Sequence, residues 1–337
     1  MSLRSLMSLL ATVAAAVALL IILAAVVPAR TTGLVSRAAP ATSYGDAVQR
    51  IARRQQADDL VAADGGRSIF LTHGDRSARA VVLLHGFTNS PRQFEHLAAM
   101  LYAAGDNVYV PRLPHHAERN GTAKTLGSLT AEELRDYADS AMDVAEGLGD
   151  SVVVAGLSAG GTVAAWIAQT RRDAQRVVII APLLAIARVP QLLETPLMNL
   201  ALRVPNVTQA DSPDRSRPDR ELGVSSRAIA QVMRLGTAVR RAAAHASPLV
   251  CQIVFVTNAN DKTVKTAPVI DLARVWARAG SAVTVYEFPR SLGLAHDIAE
   301  EIGPHAQPLL VYPELQALIH GTPPLGALAG RRILPAP

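Results

Sequence analysis

Cysteine occurs once in the 337 residues, as Cys251, so no intrachain disulfide can form and a cysteine-built metal site is excluded. Lysine is nearly as scarce: Lys124, Lys262 and Lys265 are the only three, and arginine carries the positive charge. Charged residues make up only 18% of the chain while half of it is apolar, which excludes a disordered, coiled-coil or collagen-like protein. The formal charge of +5 is spread along the chain, and no nucleic-acid-binding motif accompanies it, so no nucleic-acid partner is predicted. The length fits one large domain or two modest ones and is enough to bury a sizeable core.

Charge is missing altogether from residues 5–29. About 20 helical residues cross a hydrocarbon core of about 30 Å, whereas a secretory signal has a shorter apolar region of about 7–15 residues. Residues 1–30 therefore predict an uncleaved signal anchor: a single-pass cell-membrane protein with its globular part outside the cytoplasm. Val27-Pro28-Ala29 supplies the alternative, a small-residue cleavage site that would release a secreted domain. Arg4 on one side and Arg30 and Arg37 on the other mark the orientation only weakly.

Residues 31–65 read as a juxtamembrane linker followed by a helix over 46–60. From residue 66 strand and helix patterns alternate. Strands are predicted at 68–72, 78–84, 107–110, 151–155, 176–180, 251–257 and 282–288, and helices at 94–104, 131–148, 160–170, 267–279 and 308–320. The run Ala80-Val-Val-Leu-Leu84 is continuously apolar, as in a strand buried on both faces of a parallel sheet. This alternation predicts an α/β class, doubly wound and mostly parallel, over 66–320. Residues 183–247 break the rhythm and read as a helical cap insertion. Residues 321–337 form a Gly/Pro tail.

The strongest chemical signal is Val152-Val-Val-Ala-Gly-Leu-Ser158-Ala-Gly-Gly161. A G-x-S-x-G between a buried strand and a helix makes a sharp turn that lifts the serine hydroxyl above the sheet. Small residues on either side are needed because strand and helix nearly touch. A serine hydroxyl is a weak nucleophile and requires a base oriented by a carboxylate. His296, in the loop beyond the strand ending at Phe288, is the expected base, and Asp261, directly after the strand at 251–257, the expected acid. His115 and His116 precede Ser158, so chain order argues against either as base; a pocket-rim role and a solvated loop both remain open for them. Asn258 and Asn260 cannot supply negative charge, and Asp297 is left as a possible helix cap. The oxyanion donors expected are the backbone N–H groups of Ala159 and of Phe87, the latter in the loop His85-Gly-Phe-Thr-Asn89, where His85 orders the loop rather than taking part in chemistry.

Leu-Leu-His85-Gly-Phe-Thr, Gly-Leu-Ser158-Ala-Gly-Gly, Asn-Ala-Asn-Asp261-Lys and Leu-Gly-Leu-Ala-His296-Asp together resemble the α/β-hydrolase superfamily. Within it the chain is similar to bacterial carboxylesterases related to monoacylglycerol lipases and to serine aminopeptidase-like hydrolases. The resemblance runs from about residue 66 to 320. It implies Ser158 as nucleophile, Asp261 and His296 as acid and base, and Phe87 and Ala159 as oxyanion donors. One departure stands out: many relatives have Gly-His-Gly after the third strand, where this chain has Leu113-Pro-His-His-Ala117.

The expected activity is hydrolysis of small carboxylic esters, short- to medium-chain or monoacylglycerol-like, without cofactor or metal. A serine peptidase or thioesterase on the same fold is the alternative, and a membrane-anchored binding protein without catalysis a more distant one. Some of Leu183, Leu184, Leu192, Leu193, Leu197, Met198 and Leu200 at the start of the cap are expected to line an acyl pocket above Ser158, with the arginines from Arg215 to Arg241 solvated; the alternative is that they pack among themselves and on the sheet as a small satellite core.

Overall fold

The computed structural model describes residues 3–209, 223–301, 305–323 and 331–334. Ten helices and ten strands follow in chain order among them. They are α1 (Leu3–Val26), α2 (Tyr44–Val61), β1 (Ile69–Leu71), β2 (Ala80–Leu84), α3 (Glu95–Ala103), β3 (Asn107–Val110), α4 (Ala123–Leu126), α5 (Ala131–Leu148), β4 (Val152–Leu157) and α6 (Ala159–Thr170). The second half contains β5 (Arg176–Ile180), α7 (Gln191–Ala201), β6 (Thr208–Gln209), β7 (Val224–Ser225), α8 (Ser226–Ala243), β8 (Gln252–Asn258), α9 (Ala267–Arg278), β9 (Ala282–Phe288), α10 (Pro308–His320) and β10 (Arg331–Leu334).

Eight strands form one sheet in the order β1-β3-β2-β4-β5-β8-β9-β10. The six central strands run parallel, and only the edge strands β1 and β10 are antiparallel to their neighbours. The centre consists of β2, β4 and β5, whose Val/Ile/Leu runs are buried along nearly their whole length. A strand covered on both faces has no solvent side to place polar residues on, which is why these runs are continuous rather than alternating. Helices α3 and α10 pack on each other, while α5, α6, α8 and α9 form a second layer. The expected doubly wound sheet is thus present. Strand β4 runs two residues beyond its expected end, directly up to Ser158.

Three segments differ from expectation. The tail contributes β10, which pairs antiparallel with β9 across a register shift. Without it β9 would present an unpaired edge. Residues 31–43, expected as a linker, lie along α5: Ser36 Oγ and the Arg37 N–H donate to Asp139, and the Ala39 N–H to Asp143. Arg171, buried under this strap, donates to the same two carboxylates. The cap at 183–247 comprises α7, the short β6–β7 hairpin and α8, packed on α5 and α6. Its arginines are not all solvated. Arg215, Arg217 and Arg220 lie outside the described residues, while Arg227, Arg234 and Arg240 are half-buried. Arg234 clamps both oxygens of Glu132 at 2.8 and 2.7 Å, because Glu132 sits on α5 directly beneath α8.

Candidate active site

Ser158 sits at the carboxyl end of the central strand β4, where a doubly wound sheet presents its ligands. Its backbone is at φ 57°, ψ −110°, outside the regions open to most residues. Such a conformation costs of order 1–3 kcal/mol and persists only where the surroundings impose it. They do so here. The Ser158 N–H donates to Ile180 O, and the Ser158 carbonyl accepts from Thr162 and Leu183. A methyl group on Gly160 would lie 2.0 Å from Leu84 O, and one on Gly156 2.2 Å from Gly160 O, so neither position admits a side chain.

The three expected residues meet. His296 Nε2 is 2.8 Å from Ser158 Oγ, and its Nδ1 is 2.7 Å from Asp261 Oδ2. A carboxylate only accepts, so Nδ1 carries the proton and Nε2 turns its lone pair to the serine hydroxyl. The other oxygen, Asp261 Oδ1, accepts from the N–H groups of Thr263 and Val264. Burial raises the cost of the Asp261 charge, but the His296 hydrogen bond and charge and the two backbone donors outweigh it. The carboxyl group stays below its ordinary pKa.

Sequence reasoning set Asn258 and Asn260 aside, and the structure places both next to the base. Asn258 Nδ2 donates to Leu294 O and Ala295 O, and Asn260 Nδ2 also to Leu294 O, fixing the carbonyls immediately before His296. Asp297 accepts from Asn89 Nδ2 at 2.9 Å as well as from Ala299 N–H. It therefore ties the His296 loop to the His85–Asn89 loop and is more than a local cap.

The His85–Asn89 loop is held from both sides. Gln93 Oε1 accepts from Gly86 N–H at 2.7 Å, and the buried His85 donates from Nδ1 to Gly86 O while its Nε2 accepts from Leu113 N–H. His85 thus orders the loop, as expected. The Phe87 N–H donates to no acceptor among the described residues. The Ala159 N–H opens α6, where the helix itself offers no partner. Neither backbone donor is taken up by another group among the described residues.

His116 is fully buried rather than solvated. It donates from Nδ1 to Pro114 O and packs edge-on against the rings of Phe87 and His85. Burial pushes its pKa down to about 4, against the hydrogen bond to Pro114 and with help from His115 and Arg112. His115 and Ala117 both adopt the left-handed backbone, φ 61° and 52°, that glycine favours. Both positions therefore carry side chains in a conformation that glycine adopts without strain. His115 compensates through a 3.0 Å contact with Glu133.

Within the cap, a cavity of about 330 Å³ is lined by Ile186, Leu197, Met198, Leu200, Val204 and Met233 among others. Of the apolar set named from the sequence, Leu197, Met198 and Leu200 line it, Leu183 and Leu184 are buried in the core, and Leu192 and Leu193 are exposed. Neither this cavity nor a larger one of about 640 Å³ between α3 and α10 includes any of the site residues in its lining. Among the described residues, no three His, Cys, Asp or Glu side chains are grouped as metal ligands.

The sheet order, the strained serine turn and the serine–imidazole–carboxylate relay define a hydrolase scaffold. A sequence profile of the alpha/beta hydrolase family matches residues 81–311, and the chain belongs to that family. It is similar to a thermostable monoacylglycerol lipase from Bacillus sp. (strain H-257), 26% identical over 191 residues that span 55% of this chain and 71% of the relative. Among solved structures it resembles one from work on LipS and LipT, two metagenome-derived lipolytic enzymes, at 18% identity and TM-score 0.57, covering 77% of this chain and 99% of that one. The Paleococcus ferrophilus monoacylglycerol lipase is similar at 22% identity and TM-score 0.52, covering 69% and 90%.

Proposed function

We propose that this protein is a serine hydrolase that cleaves small carboxylic esters, short- to medium-chain or monoacylglycerol-like, through an acyl-enzyme on Ser158. The observation that carries this reading is the relay from Ser158 Oγ through His296 to Asp261, at 2.8 and 2.7 Å, on a strained turn. Ser158 Oγ attacks the ester carbonyl as its proton passes to His296 Nε2, and Asp261 steadies the imidazolium. The negative charge that develops on the carbonyl oxygen is received by the Phe87 and Ala159 N–H groups; losing one such donor costs roughly 3 kcal/mol in an acyl transfer. His296 then protonates the leaving alcohol. Water, deprotonated by His296, cleaves the acyl-enzyme and restores the serine. The lipase relatives support an ester rather than a peptide as substrate. Purified protein should hydrolyse a short p-nitrophenyl ester and lose that activity in Ser158→Ala. Turnover confined to amide or thioester substrates would sink the ester reading.

The same proposal takes α1 as an uncleaved single-pass anchor, with the hydrolase on the extracytoplasmic side. Residues 4–26 are long and apolar enough to cross a membrane. Full-length protein should then stay with membranes through alkaline carbonate extraction. Mature protein whose amino-terminal sequence begins at Arg30 would show a cleaved signal instead.

A further inference from the structure

We propose that the cap helix α7 lies on the headgroup layer of an anionic phospholipid bilayer, held there by the end of α1; this rests on α1 being a retained anchor. The two helices pack against each other. Asn199 on α7 is 1% exposed and commits both ends of its amide to the chain leaving α1. Its Oδ1 accepts from the Ala29 N–H at 3.0 Å and its Nδ2 donates to Ala25 O at 2.9 Å. One turn further on, Arg203 donates to Ala24 O and Pro28 O. From α8, Arg234 donates to Arg30 O, and Arg241 to Ala29 O and Thr31 Oγ1. The last carbonyls of a helix have no partner within it and carry the negative end of its dipole. Here the cap supplies those partners.

The surface beside this joint has two properties that water alone does not call for. Leu192, Leu193 and Leu197 of α7 are 90%, 48% and 45% exposed, continuing the apolar exterior of α1 onto the cap. Arg30, Arg203 and Arg241 are exposed around the end of α1 and, among the described residues, form no ion pair with a carboxylate. An interfacial helix buries leucines at the headgroup–acyl boundary, and basic residues near an anionic membrane surface are attracted to it. Guanidinium groups also match phosphate geometry. Leu197 belongs both to this surface and to the lining of the cap cavity, so the lipid surface and the cavity share a wall.

Full-length Cys251→Ser protein carrying either Leu192→Cys or Leu309→Cys, labelled with an environment-sensitive NBD fluorophore and reconstituted into vesicles, tests this. Leu192 is 90% and Leu309, on α10, 89% exposed, so neither change threatens folding. In phosphatidylcholine vesicles containing phosphatidylglycerol, the residue 192 label should emit to the blue and be quenched by spin-labelled lipid, while the residue 309 label stays water-like. Omitting phosphatidylglycerol should weaken the residue 192 signal. Water-like emission from both sites in vesicle-bound protein would overturn the docking and leave the anchor standing. Protein that separates from the vesicles would overturn the anchor and the docking together. A residue 192 signal indifferent to phosphatidylglycerol would overturn the choice of an anionic surface.

Discussion

Lys265 Nζ lies 2.5 Å from the buried Glu194 carboxylate, joining the loop that carries Asp261 to the first turn of the cap helix. The same loop is bridged to the start of the cap by backbone pairing, Ala187 N–H to Thr263 O and Lys265 N–H to Ala185 O. Cap and acid loop are thus joined by one ion pair and two backbone hydrogen bonds. A hydrogen bond to a charged group contributes about 1.5–3 kcal/mol, and removing Lys265 alone leaves a buried charge unpaired. Lys265→Met should lower stability by about 2 kcal/mol, and Glu194→Gln by less. The double variant should lose clearly less than the sum, because the sites are coupled. Urea unfolding of the three variants checks this, and strict additivity would dissolve the link.

For the relay, Ser158→Ala or His296→Ala should each reduce kcat by a factor of order 10⁶, with little further loss in the double variant, since the residues act as a unit. Asp261→Asn should cost less, on the order of 10⁴, by misorienting the imidazole. Near-normal turnover by folded Ser158→Ala would remove the serine from the chemistry.

Backbone strain at Ser158 gives a second reading of the same position. At φ 57°, glycine is at ease and alanine is not. Ser158→Gly should therefore be more stable than Ser158→Ala by about 1 kcal/mol, although both are inactive. Thermal unfolding of the pair decides it; equal melting temperatures would mean that the turn stores no strain.

His116 makes stability depend on pH. Its folded pKa, about 4, lies below the unfolded value of 6.5. The unfolded chain therefore binds the extra proton first, and stability falls as pH drops from 6.5 towards 4. Between pH 7 and 5 the loss from this group is about 2 kcal/mol. Asp261, with its pKa below the usual carboxylate range, adds a loss in the same direction at lower pH. Urea titrations at pH 7 and 5 should show a smaller difference in His116→Phe than in the wild type. An unchanged difference would place the proton elsewhere.

Entry of the proposed acyl chain into the cap cavity, whose lining is apolar, would give a chain-length profile. Each buried CH₂ contributes about 0.8 kcal/mol, so kcat/KM should rise about fourfold per added acyl carbon until the space is filled. Activity should fall on long triglycerides. A p-nitrophenyl ester series on the wild type, Leu197→Ala and Met198→Ala measures this. A flat profile, unchanged in both variants, would separate the cavity from the substrate.

Much of this site could be read along the chain because its parts announce themselves locally. Residues 152–161 couple an apolar run to a glycine-flanked serine, and Asp261 and His296 follow their strands within a few residues. What stayed hidden depends on which loops meet in space. Nothing near Asn258 in the sequence indicates that its amide will grip carbonyls at residues 294–295, or that Asn89 will reach Asp297. Nothing beside Gln93 in the sequence shows that its side chain will accept from Gly86 N–H. The tail strand was missed for a related reason, since pairing of Arg331–Leu334 answers a need of β9 rather than a pattern of its own.

The strap over residues 29–43 sets how far the enzyme can search. A free coil of about fifteen residues would have an end-to-end distance of roughly 20 Å and let the domain tumble about its tether. Bonds to Asp139, Asp143, Asn199 and Arg241 remove that slack. With α1 in a bilayer, the height of Ser158 above the membrane becomes a fixed dimension of the molecule. An ester that partitions into the same bilayer would then meet Ser158 by lateral diffusion in a plane, whereas a water-soluble ester would still reach it from bulk solution.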